Sequence, residues 1–133
     1  MPLMFLLALA GLLAASPDVS GTYRIEAPKV LKLKKGETAT AKVEVVPRSD
    51  AHVSPEAPIS LALSAGSGVK LGKEKLGRSD AKETQAKGVQ FDVPFTAAAS
   101  GKDEVKGTLS FFICTEKLCE KQKREIAMAV EVQ

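Results

Sequence analysis

Along most of the chain, apolar and polar side chains alternate with a period of two. Tyr23, Ile25 and Ala27 alternate with Arg24 and Glu26, and Leu31 and Leu33 with Lys32 and Lys34. The clearest run interleaves Ala39, Ala41, Val43 and Val45 with Thr38, Thr40, Lys42 and Glu44. The pattern returns at Ile59, Leu61 and Leu63, then at Val89, Phe91, Val93 and Phe95. It appears again at Val105, Leu109, Phe111 and Ile113, and closes with Ile126, Met128, Val130 and Val132. Strict alternation marks a strand with one face buried and one in water, as in antiparallel sheets. Breakers separate the runs: Pro28, Lys35-Gly36, the proline-bracketed segment 47–58, residues 64–68 and Ser100-Gly101. The expected fold is all-β, an immunoglobulin-like antiparallel β-sandwich of about seven strands.

The N-terminus breaks this pattern. Residues 3–15 read LMFLLALAGLLAA, with no polar side chain. A membrane-spanning helix needs about 20 such residues. An export signal needs an apolar core of about 7–15 followed by small residues, and Ala14, Ala15 and Ser16 supply these. Residues 1–16 therefore read as a signal peptide and 17–133 as one domain. That domain is expected in the periplasm or secreted, with no membrane span after cleavage. Export makes a disulfide chemically permissible.

Composition narrows the chemistry. The 133 residues hold 19 basic and 16 acidic groups, a net +3, which is ordinary solubility chemistry and suggests no nucleic-acid partner. One His and two Cys cannot build a three-His or four-Cys zinc site or a blue-copper centre. No metal and no cofactor are expected. His52 reads as a surface polar residue and Met128 as core packing. Lys29, Lys32, Lys34 and Lys35 read as a solvated edge that discourages strand-to-strand aggregation. Residues 64–88 differ from the rest: five of the ten glycines lie there, with six basic and three acidic residues. This stretch reads as a long connection that holds one short strand. It is a solvated loop, a lid over a site, or a docking surface for an acidic partner.

The one chemical constellation is Cys114-Thr-Glu-Lys-Leu-Cys119, at the end of the strand that carries Val105 to Ile113. If this strand and the next form a hairpin, Cys114 and Cys119 flank its loop and face each other within disulfide reach. The same register sets Gly107 opposite Ile126 and Val105 opposite Met128, all on the core face. It also sets Leu109 opposite Arg124, a poor match. Parity puts Cys114 on the other face with Phe112, so the expected bond is an exposed cross-strand disulfide. A closure of about six residues stabilises by only roughly 2 kcal/mol in the chain-entropy model, and exposed, locally closed disulfides tend to be the exchangeable ones. A structural bond and an exchanging bond both fit this spacing.

Several segments together resemble a known family. They are HVSPEAP at 52–58, the apolar strand at 59–63, Gly68-Val69, Val93-Pro94-Phe95, and GTLSFFICTEKLC at 107–119. Over roughly residues 22–132 the chain resembles the N-terminal periplasmic domain of the thiol:disulfide interchange reductases, the DsbD family. The resemblance implies an immunoglobulin-like domain acting as a component of a protein-disulfide reductase. It would pass electrons between protein thiol/disulfide partners, such as a membrane electron conduit and thioredoxin-like proteins. Carried over by position, Cys119 is the nucleophile and Cys114 the resolving thiol; Phe112 is the candidate to shield the pair and contact a partner. The sequence departs from the family where Glu120-Lys-Gln-Lys123 replaces a Pro soon after the second Cys. It also has one fewer residue between the cysteines, and no aromatics in the 64–88 stretch. The rival reading is a non-enzymatic binding or scaffold module of the cell envelope whose disulfide clips a hairpin.

Overall fold

The computed structural model describes residues 19–133, in which short turns link eleven strands. These are β1 (Tyr23–Glu26), β2 (Val30–Leu33), β3 (Thr38–Pro47), β4 (His52–Val53), β5 (Ser60–Ala65), β6 (Val69–Leu71), β7 (Lys75–Leu76), β8 (Ala81–Glu83), β9 (Val89–Ala97), β10 (Gly101–Cys114) and β11 (Cys119–Val132). One sheet runs β1-β3-β9-β6, with β8 also paired to β9. The other runs β2-β11-β10-β5-β7, with β4 also paired to β10. The chain is thus an immunoglobulin-like all-β sandwich of two sheets. The signal peptide expected at residues 1–16 lies outside the described residues. Among the described residues no helix is long and apolar enough to cross a membrane.

The alternating runs became the long strands. In β9, Val89, Phe91, Val93, Phe95 and Ala97 are buried, while the even positions are more open. In β10 the odd positions Val105, Gly107, Leu109, Phe111 and Ile113 are buried. Phe91, Phe95, Phe111, Leu61, Leu109, Ile113 and Met128 are fully buried between the sheets. Each such side chain contributes about 1.5–3 kcal/mol through removal from water. Met128 packs in this core as expected. Pro94 sits in β9 between the stretches that pair with β8 and β6. Its carbonyl accepts from the N–H of Gly72, just past β6, at 3.0 Å. A proline is accommodated in a strand where no ladder partner needs its missing N–H.

The seven strands of four or more residues match the seven alternating runs, and among the described residues β4, β6, β7 and β8 add pieces of two or three residues, too short to show a period. Two expectations are corrected. Residues 64–88 are no long connection. They hold β6, β7, β8 and a turn of 3-10 helix at Arg78–Asp80. A cradle fixes the start of this stretch: the Gly68 N–H donates to Asp103 Oδ2 at 2.7 Å, and a side chain at Gly66 would collide with the same carboxylate. Nor is the fold purely antiparallel, since β2 runs parallel to the end of β11, from Val30 beside Ala129 to Leu33 beside Val132. Lys29, Lys32, Lys34 and Lys35 are exposed along and beside this edge strand.

Candidate functional site

The β10–β11 hairpin pairs without a break from Gly101–Val132 to Cys114–Cys119. Gly107 faces Ile126, Val105 faces Met128 and Leu109 faces Arg124, as the sequence register required. The unfavourable match at Arg124 has a physical resolution. Arg124 lies over the ring of Tyr23, 5.5 Å from its centroid, and its Nε donates to the Tyr23 hydroxyl at 2.7 Å. That hydroxyl donates in turn to Gln122 Oε1 at 2.8 Å. Tyr23 also meets Phe111 edge to face, with centroids 5.0 Å apart. A tyrosine from the opposite sheet therefore closes the core where β11 turns polar.

At the tip, Cys114 and Cys119 form a disulfide with their Cα atoms 4.0 Å apart. The ladder continues one pair past them: the Thr115 N–H donates to the Leu118 carbonyl at 2.8 Å. Only Glu116 and Lys117 make the turn proper. The pairing, its register and the outer-face placement are those expected. The exposure is not. Cys119 is exposed, but Cys114 is only 3% exposed, although it stands apart from the core between the sheets. The alternation of β10 holds through Phe112 and fails to predict burial at Cys114, because another strand has come alongside.

That strand is β4. Val53 lies opposite Ile113, and His52 lies opposite Cys114. Alternation turns Val53 into the core, where it is buried, and His52 to the face of the disulfide. Two contacts fix β4 in place. The Ser54 N–H donates to the Phe112 carbonyl at 2.9 Å, and the Val53 N–H donates to the Lys87 carbonyl at 2.9 Å. Lys87 has a left-handed backbone, φ 64°, within the turn that joins β8 to β9. Gly88 follows it, and any side chain there would collide with the backbone of Val45 and the ring of Pro47. This tight turn belongs to the segment read as a connection from sequence.

His52 is half-buried and borders two hollows. One, of about 320 Å³, is lined by His52, Val53, Pro55, Arg78, Thr84 and Lys87, among others. Arg78 is held there by the carbonyls of Ser54, at 3.1 Å, and Ala57. The second, of about 220 Å³, lies between Asp50, His52, Lys87, Thr115 and Glu116 at the tip itself. Two ion pairs outside the hollows anchor the wall segment: Lys73 with Asp80 at 2.8 Å and Lys82 with Asp92 at 2.6 Å. The Lys73 hydrogen bond, helped by the Gly77 N–H, holds the Asp80 carboxyl below the usual carboxylate range. Lys82 and then Gln90 do the same for Asp92.

The two cysteines of the sequence reading are therefore together, and Phe112 stands half-buried on the same face two positions before Cys114. The place of His52 beside the disulfide departs from the expectation of an unengaged surface residue. A lone histidine in a proline-bracketed loop carries no period, and only the β4–β10 register brings it to the sulfurs. Among the described residues no group of three or more His, Cys, Asp or Glu could hold a metal ion.

No family model matches the chain, and no curated protein matches it. Solved structures do show likenesses. Native alpha-2-macroglobulin from Escherichia coli, spanning domain MG7 to the C-terminus, is 13% identical with a TM-score of 0.44 over 83% of this chain. This chain spans only 16% of that structure. AggA, the major subunit of aggregative adherence fimbriae type I from Escherichia coli, is 8% identical with a TM-score of 0.47, over 84% of this chain and 94% of AggA. A PapD-like domain of human CEP192 is 12% identical with a TM-score of 0.39, over 99% of this chain and 98% of that one. None of the three is a thiol:disulfide reductase domain.

Proposed function

We propose that this chain is an exported thiol–disulfide exchange domain that passes electrons between protein partners through Cys114 and Cys119. The observation that carries the reading is the asymmetry of the bond: one sulfur belongs to an exposed residue, the other to a buried one, at the tip of an unbroken hairpin ladder. A partner thiolate can reach Cys119 and form a mixed disulfide there while Cys114 leaves. In the reverse direction the Cys119 thiolate attacks a partner disulfide and Cys114 resolves the intermediate. This division of labour agrees with the one implied by the DsbD resemblance. The partners are proteins with a dithiol or disulfide, a membrane electron conduit and a thioredoxin-like protein being the expected pair. The apolar segment at 3–15 and the disulfide support a periplasmic or secreted location, since disulfides persist in oxidising compartments.

The clip reading is weaker on physical grounds. A continuous ladder already holds residues 114 and 119 opposite each other, so the bond closes a loop that the hairpin has closed without it. The deciding experiment is the reduction potential of the pair, by thiol alkylation after equilibration in redox buffers, together with dithiol exchange in Cys114→Ser and Cys119→Ser variants. A potential between about −120 and −270 mV, where exchange proteins sit, with exchange lost in both variants, supports the proposal. A potential well below about −300 mV, or full exchange in both variants, overturns it.

A further inference from the structure

The outer face of the six-stranded sheet carries a row of three side chains on three adjacent strands: His52 on β4, Cys114 on β10 and Cys119 on β11. Directly opposed residues on one face keep their Cβ atoms about 4.5–5.5 Å apart. His52 is the one histidine of the chain. Resting on the exchange reading above, we propose that His52 is the proton partner of the Cys114 sulfur, and that it makes Cys114 a competent leaving group.

The need for such a partner comes from burial. When a partner thiolate attacks Cys119 Sγ, a partner–Cys119 disulfide forms and the Cys114–Cys119 bond breaks. The electron pair of the broken bond stays on Cys114 Sγ. The partner's second thiolate then attacks its own sulfur in the mixed disulfide, and Cys119 departs as thiolate. The partner dithiol is oxidised to a disulfide, and this chain is reduced to a dithiol. The first leaving sulfur emerges on a residue only 3% exposed. Burial disfavours a thiolate, and thiols of higher pKa leave more slowly. A thiol beside a histidinium is the opposite case, with its pKa lowered to about 3.5–7.5.

Other charges around the tip do not meet this need. Asp50 and Glu116 face His52 across one hollow, and Arg78, Glu83 and Lys87 line the other with it. Lys121 follows Cys119 by two residues on the outer face of β11. With Lys117 in the turn and Glu120 beside Cys119, four are cationic and four anionic, so the tip carries no net charge of either sign. His52 is the group in direct register with Cys114. Imidazole also changes charge between pH 5 and 8, where it can give a proton to the departing sulfur and take it back.

The test uses the full chain and dithiothreitol as the probe. Reduction rates of the Cys114–Cys119 bond are measured for the parent and His52→Gln across about pH 5 to 8.5, corrected for the thiolate fraction of the reductant. The expected result is a reduction about tenfold slower in His52→Gln on the acid side, as for a leaving thiol whose pKa rises by about two units. The gap narrows as the pH rises. A parallel ultraviolet titration of Cys114 in the Cys119→Ser background gives a thiol pKa that climbs when His52 is also replaced. Equal profiles and equal thiol pKa values overturn the His52 assignment and leave the exchange reading standing. A bond inert to the dithiol at every pH in both proteins overturns the exchange reading, and the Cys119→Ser titration still decides His52.

Discussion

The body and the tip of the β10–β11 hairpin belong to one continuous ladder, yet different things decide burial in each. In the body, Val105, Leu109, Phe111 and Ile113 are buried because they are the apolar, inward-facing members of an alternating strand. At the tip, Cys114 is buried although it faces outward, because β4 has been laid beside it by contacts from Phe112 and Lys87. The body is specified by residues two apart. The tip is specified by segments some sixty residues away along the chain (His52 to Cys114) that share no pattern with it. The first arrangement makes a core, and the second makes a place where one sulfur is sheltered and its partner is accessible.

The largest effect separates the two regions by stability. Phe111 is fully buried and meets Tyr23 edge to face, so Phe111→Ala should cost about 3–5 kcal/mol. Denaturant unfolding would show this as a lower midpoint, by similar amounts whether the disulfide is oxidised or reduced. Replacing both cysteines by Ala should cost less, about 2 kcal/mol, because the closed loop is short and the ladder holds its ends regardless. A double Cys variant as unstable as Phe111→Ala would break the comparison, since the tip would then be as necessary to the fold as the body. A variant that keeps its melting midpoint within that margin and loses dithiol exchange would sharpen it.

The same division explains what could be read from the sequence. The long strands, the core face, Met128 and the hairpin register were legible, because each rests on alternation among neighbours and one slip would turn every apolar side chain outward. The disulfide followed from that register. His52, β4 and the wall built from Arg78 to Gly88 were not legible. Strands of two or three residues have no period, and they form only because a longer strand offers them a ladder edge. Arg124 opposite Leu109 looked like an error from sequence, and Tyr23 from the other sheet removes the conflict.

The smallest effect concerns the wall rather than the sulfurs. Asp80 and Asp92 have carboxyl groups held below the ordinary carboxylate range, first by hydrogen bonds from Lys73 and Lys82. A carboxylate with a depressed native pKa contributes stability above its unfolded value, about 3.9, and loses it as the pH falls through the native one. The contribution is therefore full at neutral pH and fades below about pH 4. Both pairs are largely in water, so the loss should be local, and salt should weaken it. Hydrogen exchange, corrected for intrinsic rates, should find the β8 amides of residues 81–83 less protected at about pH 3 than at about pH 5. Amides of β10 between Val105 and Ile113 should be unchanged. Asp92→Asn should remove most of this acid sensitivity, because β8 pairs directly with the strand that carries Asp92. Equal loss of protection in β8 and β10 would mean that wall and body open as one unit, and the division between locally and remotely specified regions would fail there.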